Sequence, residues 1–165
     1  MDIREKLNKY LDLYLKPVER GTLFRSSKMV GSSANYNYEC EADINTYIND
    51  NKDDSTFQTK LFKLIDERGL KDSDVYNKVD IDRRLFSKIR SNKDYHPSKE
   101  TIILFGLALE LNEIEIEDLL KSASYSLPMN TTFDLIIRFC FKEGIYNINT
   151  VNEFLYDHGC RLLNE

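Results

Sequence analysis

Between Asp82 and Lys93 the chain reads Asp-Arg-Arg-Leu-Phe-Ser-Lys-Ile-Arg-Ser-Asn-Lys, and the chemistry this stretch offers is recognition of an anion. From Lys78 to Lys99 there are seven Lys or Arg against three Asp, a local charge of +4 in a chain whose net charge is -5. The remainder therefore carries -9. A short Debye length lets such a patch approach a phosphate backbone even on an acidic body. For its cations to act together they must share one side of an element. Leu85, Phe86 and Ile89 have the i, i+1, i+4 spacing of a short helix with one inward face, which leaves Arg83, Arg84, Lys88 and Arg90 largely outside.

A second short helix is expected just upstream, from Asp72 to Val79, with Val75 and Val79 four residues apart. Asp80-Ile81-Asp82 is the whole connection. Two short helices, a tight turn and a cationic second helix form the pattern of a helix-turn-helix. The flanking helices are equally legible. Asp54 or Ser55 is placed to cap a helix through Phe57, Leu61, Leu64 and Ile65 that stops at Gly69. Pro97-Ser98 introduces a helix from about 99 to 111 whose apolar residues, Ile102 through Leu111, point in nearly every direction, so it must be central. Asn112 caps the next, with Ile116, Leu119, Leu120 and Ala123 inward; its acids Glu113, Glu115, Glu117 and Asp118 suit the positive end of a helix dipole.

Beyond Pro128, Thr131 or Thr132 caps a helix through Phe133, Ile136, Ile137, Phe139, Cys140 and Phe141 that ends at Gly144. Asn149 or Thr150 caps a last helix with Val151, Phe154 and Leu155, ended by Gly159. This hairpin is too broadly apolar for one neighbour, so it packs on the core or forms a homodimer surface. At the other end, Ile3, Leu7, Tyr10, Leu11 and Tyr14 lie on one helical stripe that Pro17 and Gly21 terminate. Residues 31–37 read as a Gly/Ser/Asn loop, 39–49 as a weak helix through Ile44, Tyr47 and Ile48, and 49–54 as a polar linker. The organisation expected is all-α: an N-terminal arm at 1–54 with one amphipathic helix and a flexible linker, a five-helix core at 55–127, and a helical hairpin at 128–165.

Composition agrees with a helical chain: 41% apolar residues, six Gly and three Pro. Cys40, Cys140 and Cys160 are odd in number and widely spaced, as reduced packing thiols are. No apolar run approaches a membrane span and the N-terminal residues do not read as a signal peptide, so a cytoplasmic protein is expected. Enzyme chemistry finds little footing. There is no Gly-rich phosphate loop and no His-x-x-x-His or Cys-x-x-Cys pair, and the histidines are His96 and His158 alone. No catalytic residue, metal ligand or cofactor is assigned.

Val75-Tyr76-Asn77-Lys78-Val79-Asp80-Ile81-Asp82, Phe86-Ser87-Lys88-Ile89, and Pro97-Ser98 through Ala108-Leu109 to Leu119-Leu120 resemble the lambda-repressor-like (XRE-type) DNA-binding fold over about 56–124. More narrowly, Leu64-Ile65-Asp66-Glu67-Arg68-Gly69-Leu70, Ile81-Asp82-Arg83-Arg84-Leu85-Phe86-Ser87-Lys88-Ile89-Arg90-Ser91 and Phe133-Asp134-Leu135-Ile136-Ile137 are similar to a bacterial module found alone or at the C-terminal end of larger proteins. The resemblance implies a transcriptional regulator that reads duplex DNA with the helix around 82–91. It implies that Arg83, Arg84, Ser87 and Lys88 face the groove, that Arg90 and Lys93 approach the backbone, and that Phe86 and Ile89 are core.

The chain departs from the general pattern at three positions. Tyr76 stands where a small residue usually lets the helices approach, Asp80 where the turn usually has Gly, and Asp72 where the helix often opens with Gln. Asp reaches left-handed backbone more easily than most residues, which keeps the turn feasible. Asp72 and Asp74 would repel a phosphate. A second function therefore stands beside the first: a non-enzymatic interaction module, an adaptor or inhibitor of mobile-element or phage-defence type, holding a protein partner through the N-terminal arm or the hairpin.

Overall fold

Most helices of the described residues begin and end on a side chain or backbone conformation that the sequence supplies locally. The computed structural model describes residues 2–15, 44, 46, 55–92 and 95–164. Among them eight helices are delimited and no strand occurs: α1 Ile3–Leu15, α2 Phe57–Glu67, α3 Asp72–Lys78, α4 Arg83–Ser91, α5 Lys99–Ala108, α6 Glu113–Ser122, α7 Thr132–Glu143 and α8 Ile148–Asp157. The all-α class is as expected. Ile44 and Thr46 are helical; the rest of the weak helix expected at 39–49, the loop at 31–37, the linker at 49–54, Cys40 and Lys93 lie outside the described residues.

Caps explain the starts. Ser98 accepts from the Thr101 N–H at the head of α5, Thr131 from Asp134 at α7, and Asn112 from Ile114 and Glu115 at α6. The Glu115 carboxylate reciprocates by accepting the Asn112 N–H, closing a capping box. Two caps differ from the sequence expectation. Thr56, rather than Asp54 or Ser55, caps α2 by accepting from Thr59. Asn147 caps α8 by accepting the N–H groups of Asn149 and Thr150, so the residues read as caps are the ones being capped. Gly69, Gly144 and Gly159 take φ of 62°, 68° and 64° at the helix ends. Helix α5 stops at Ala108, three residues before the expected Leu111. Glu110 turns to φ 53° and the Leu111 N–H folds back onto the Gly106 carbonyl at 3.0 Å.

Helix α5 is central, with every residue from Ile102 to Ala108 buried. It packs against α3 and α6; α2 also lies on α6, and α7 on α6 and α8. The crossing at Gly106 is tight: a Cβ there would sit 2.5 Å from Ile116 Cδ1 and 2.9 Å from Phe141 Cζ. Only a glycine lets α5, α6 and α7 approach this closely. The α7–α8 hairpin accordingly buries its inner residues Leu135, Ile136, Ile137, Val151 and Leu155 within the chain.

The acids of α6 do more than answer the helix dipole. Glu115 pairs with Arg68 at 2.9 Å and Asp118 with Lys60 at 2.8 Å, while Glu113 and Glu117 share Arg138. These pairs tie α6 to α2, to the turn after α2 and to α7. Buried Asp134 accepts from Lys99 at 2.5 Å and from the Thr131 hydroxyl, joining α7 to the start of α5.

The separable arm expected at 1–54 needs correcting. The chain divides into two compact units, Met1–Lys16 with Ser55–Glu165, and Pro17–Asp54. Helix α1 belongs to the first. Leu7 and Leu11 are buried, and Tyr10 meets the Phe139 ring of α7 with centroids 5.4 Å apart. Arg4 bonds Glu153 and Asp157 of α8, Lys6 bonds Glu143, and Asn8 meets His158 Nε2 at 3.1 Å. The apolar stripe was legible, but the surface that receives it lies more than a hundred residues away in the chain.

Candidate nucleic-acid interface

The surface formed by α3 and α4 begins with the turn between them. Val79 closes α3, Asp80 takes φ 53°, and the Ile81 N–H donates to the Tyr76 carbonyl at 2.9 Å. This is a Schellman ending with Asp in the left-handed position normally given to Gly. Two residues later Asp82 starts α4, its carboxylate accepting the Arg84 N–H at 2.7 Å. The turn is therefore short because its residues serve as the end of one helix and the cap of the next.

Packing then fixes which side of α4 faces out. Phe86 and Ile89 are buried, and the Phe86 ring lies 5.9 Å from Phe62, 5.7 Å from Tyr76 and 5.8 Å from Phe105. Tyr76, the bulky departure, thus becomes one wall of an aromatic box around Phe86 rather than a wedge between the helices. At its far end, α4 is held by buried Gln58 of α2, whose amide donates to the Asn92 carbonyl.

With that face inward, Arg83, Arg84, Ser87, Lys88 and Arg90 are all exposed. They do not have equal freedom. Arg90 bonds the Asp72 carboxylate at 2.6 Å and lies over the Phe62 ring, 4.2 Å from its centroid. The Lys88 ammonium sits 4.5 Å from the Tyr95 ring centroid. Arg83 and Ser87 line a cleft of about 530 Å³ together with Lys71, Asp72, Ser73 and Tyr76. The structure thus brings Arg83 and Ser87 together and draws Arg90 aside. His96 is exposed.

Most other cations of the described residues are engaged. Arg4, Lys6, Lys60, Lys63, Arg68, Lys78, Lys99, Arg138 and Arg161 each pair with a carboxylate. Lys121 of α6 and Lys142 of α7 have no carboxylate partner among the described residues, and neither do Lys71, Arg83, Arg84 and Lys88. Sequence alone singled out the last three; Lys71 was missed because it precedes α3 and looks like loop. The Arg90–Asp72 pair was missed too, since its partners are eighteen residues apart and meet only once both helices are packed.

Elsewhere the nucleophiles are muted. Burial pushes the Cys140 thiol up to about 12, and the Cys160 thiol is raised by burial as well. Cys160 Sγ faces the carbonyl of His158, at 3.8 Å, while the imidazole is turned to the Phe154 carbonyl at 2.8 Å and to Asn8. A thiolate–imidazole couple is not built here. Among the described residues no group of three His, Cys, Asp or Glu side chains is placed to hold a metal ion, and no helix is long and apolar enough to cross a membrane. Compared with protein-family models, with curated proteins and with solved structures, the chain matches none.

Proposed function

We propose that α2 to α6 form a lambda-repressor-like helix-turn-helix core and that the chain is a DNA-binding transcriptional regulator reading duplex DNA with α4. One observation carries the reading. In a surface where carboxylates neutralise most cations, four of the six left without one among the described residues, Lys71, Arg83, Arg84 and Lys88, gather at the start of α3 and along α4; the other two are Lys121 and Lys142. A charge left without a carboxylate is available to release counterions from a phosphate backbone. Arg83 and Arg84 stand on the first turn of α4, with Ser87 one turn on. In a helix-turn-helix the N-terminal residues of the second helix are those that meet base edges. Arg84 and Arg83 would take a guanine bidentately, while Lys88, Lys71 and Ser87 would serve phosphate or either base edge.

Selection of duplexes from a random pool by the full chain tests this. A defined sequence is enriched, and Arg83→Ala or Arg84→Ala relaxes the preference at a cost of about 1–3 kcal/mol in binding. Thermal stability of those variants shifts by less than about 0.5 kcal/mol, because both side chains are exposed. Failure to retain any duplex near physiological salt would overturn the reading and leave the interaction module, with a protein partner held through the N-terminal arm or the hairpin.

A further inference from the structure

We infer that Asp72 is a built-in competitor of the nucleic-acid backbone, holding Arg90 out of the interface and thereby suppressing sequence-independent binding; the inference rests on the duplex-reading function proposed above. Arg90 and Asp72 form a monodentate pair at 2.6 Å with side chains 52% and 40% exposed. An exposed pair of this kind contributes little net stability, so its geometry does not need it as a structural tie. Hydrophobic packing already holds α4: Phe86 and Ile89 are buried beneath it and the Gln58 amide fastens its end. What the pair does is electrostatic. Asp72 lines the same cleft as Lys71, Arg83 and Ser87, so its carboxylate occupies the place where Lys71 would otherwise gather an incoming phosphate. At the same time it accepts the Arg90 donor that a phosphate would use. The Phe62 face stabilises the guanidinium in that withdrawn position.

The penalty falls unequally on the two kinds of complex. Binding to arbitrary sequence depends almost wholly on neutralised phosphates, and each phosphate left without its cation weakens it by one counterion's worth. A specific complex adds the base-edge hydrogen bonds of Arg83 and Arg84, which Asp72 leaves free. One carboxylate thus widens the margin between specific and non-specific sites without touching a base. This also accounts for an acid at the position where a phosphate-binding amide would be expected.

The test is fluorescence anisotropy of the full chain on an enriched duplex and on an arbitrary duplex, between about 50 and 200 mM salt. Asp72→Asn should tighten the arbitrary duplex by about tenfold, tighten the enriched one by less, and steepen the salt slope by about one unit. Asp72→Asn combined with Arg90→Ala should lose the extra unit of slope. Asp118→Asn, which removes the same charge from the α2–α6 pair, should leave affinity within about twofold. Unfolding cannot mimic a gain in affinity. Wild-type binding with Asp72→Asn equal to it or weaker overturns the inference alone. A silent wild type beside a binding Asp72→Asn supports it. Silence from both overturns the duplex-reading function and the inference with it.

Discussion

Asp80 and Gly106 show how single positions set the geometry of this chain. At φ 53° Asp80 holds the left-handed turn that lets the Ile81 N–H reach the Tyr76 carbonyl. A β-carbon in that region costs free energy that glycine avoids. Asp80→Gly should therefore raise stability by about 0.5–1 kcal/mol in urea melts, whereas Asp80→Val should lower it. Gly106 is the opposite case. Its φ is ordinary, but Ile116 and Phe141 leave no room for a methyl group. Gly106→Ala should destabilise the protein by about 1–3 kcal/mol, measured by the same melts. The sequence announces the first position through the brevity of Asp80-Ile81-Asp82 but is silent on the second. Crowding around a helical glycine depends on two helices that follow it in the chain.

At the scale of elements, the same division separates what could be read from what could not. Helix existence followed from local signals: the apolar spacing of Phe57, Leu61 and Ile65, the Ser98 and Asn112 caps, and the stops at Gly69 and Gly144. The outward cations of α4 followed from Phe86 and Ile89 in the same way. Assignments that needed a distant partner failed. Helix α1 was read as part of an arm because residues 17–54 separate it from the core in sequence, yet Leu7 is 1% exposed and Tyr10 packs on Phe139. Leu7→Ala should cost about 2–5 kcal/mol. A cost below about 1 kcal/mol in thermal or urea unfolding would return α1 to the status of an arm. The acids of α6 were likewise read against their own helix dipole, while Arg68, Lys60 and Arg138 arrive from elsewhere to meet them.

For the whole molecule, net charge and the proposed function point in opposite directions unless charge is distributed. The chain carries -5, and an acidic body repels a polyanion. Screening at physiological salt confines that repulsion to roughly 8 Å, so the outcome depends on what each surface presents within that reach. The surface of α3 and α4 presents Lys71, Arg83, Arg84 and Lys88 without carboxylate partners among the described residues, and the packed aromatic box around Phe86 holds the inner face of α4 so that its three cations stay exposed. The most direct test is the salt dependence of duplex binding by the full chain. Two phosphate-serving cations, Lys71 and Lys88, predict a plot of log affinity against log salt with a slope of at least about -2. Replacing Lys71 and Lys88 together with Ala should flatten it by about two units, because these are the residues that serve phosphate. Binding that is absent near physiological salt, or whose slope is unchanged by the double substitution, would contradict the account.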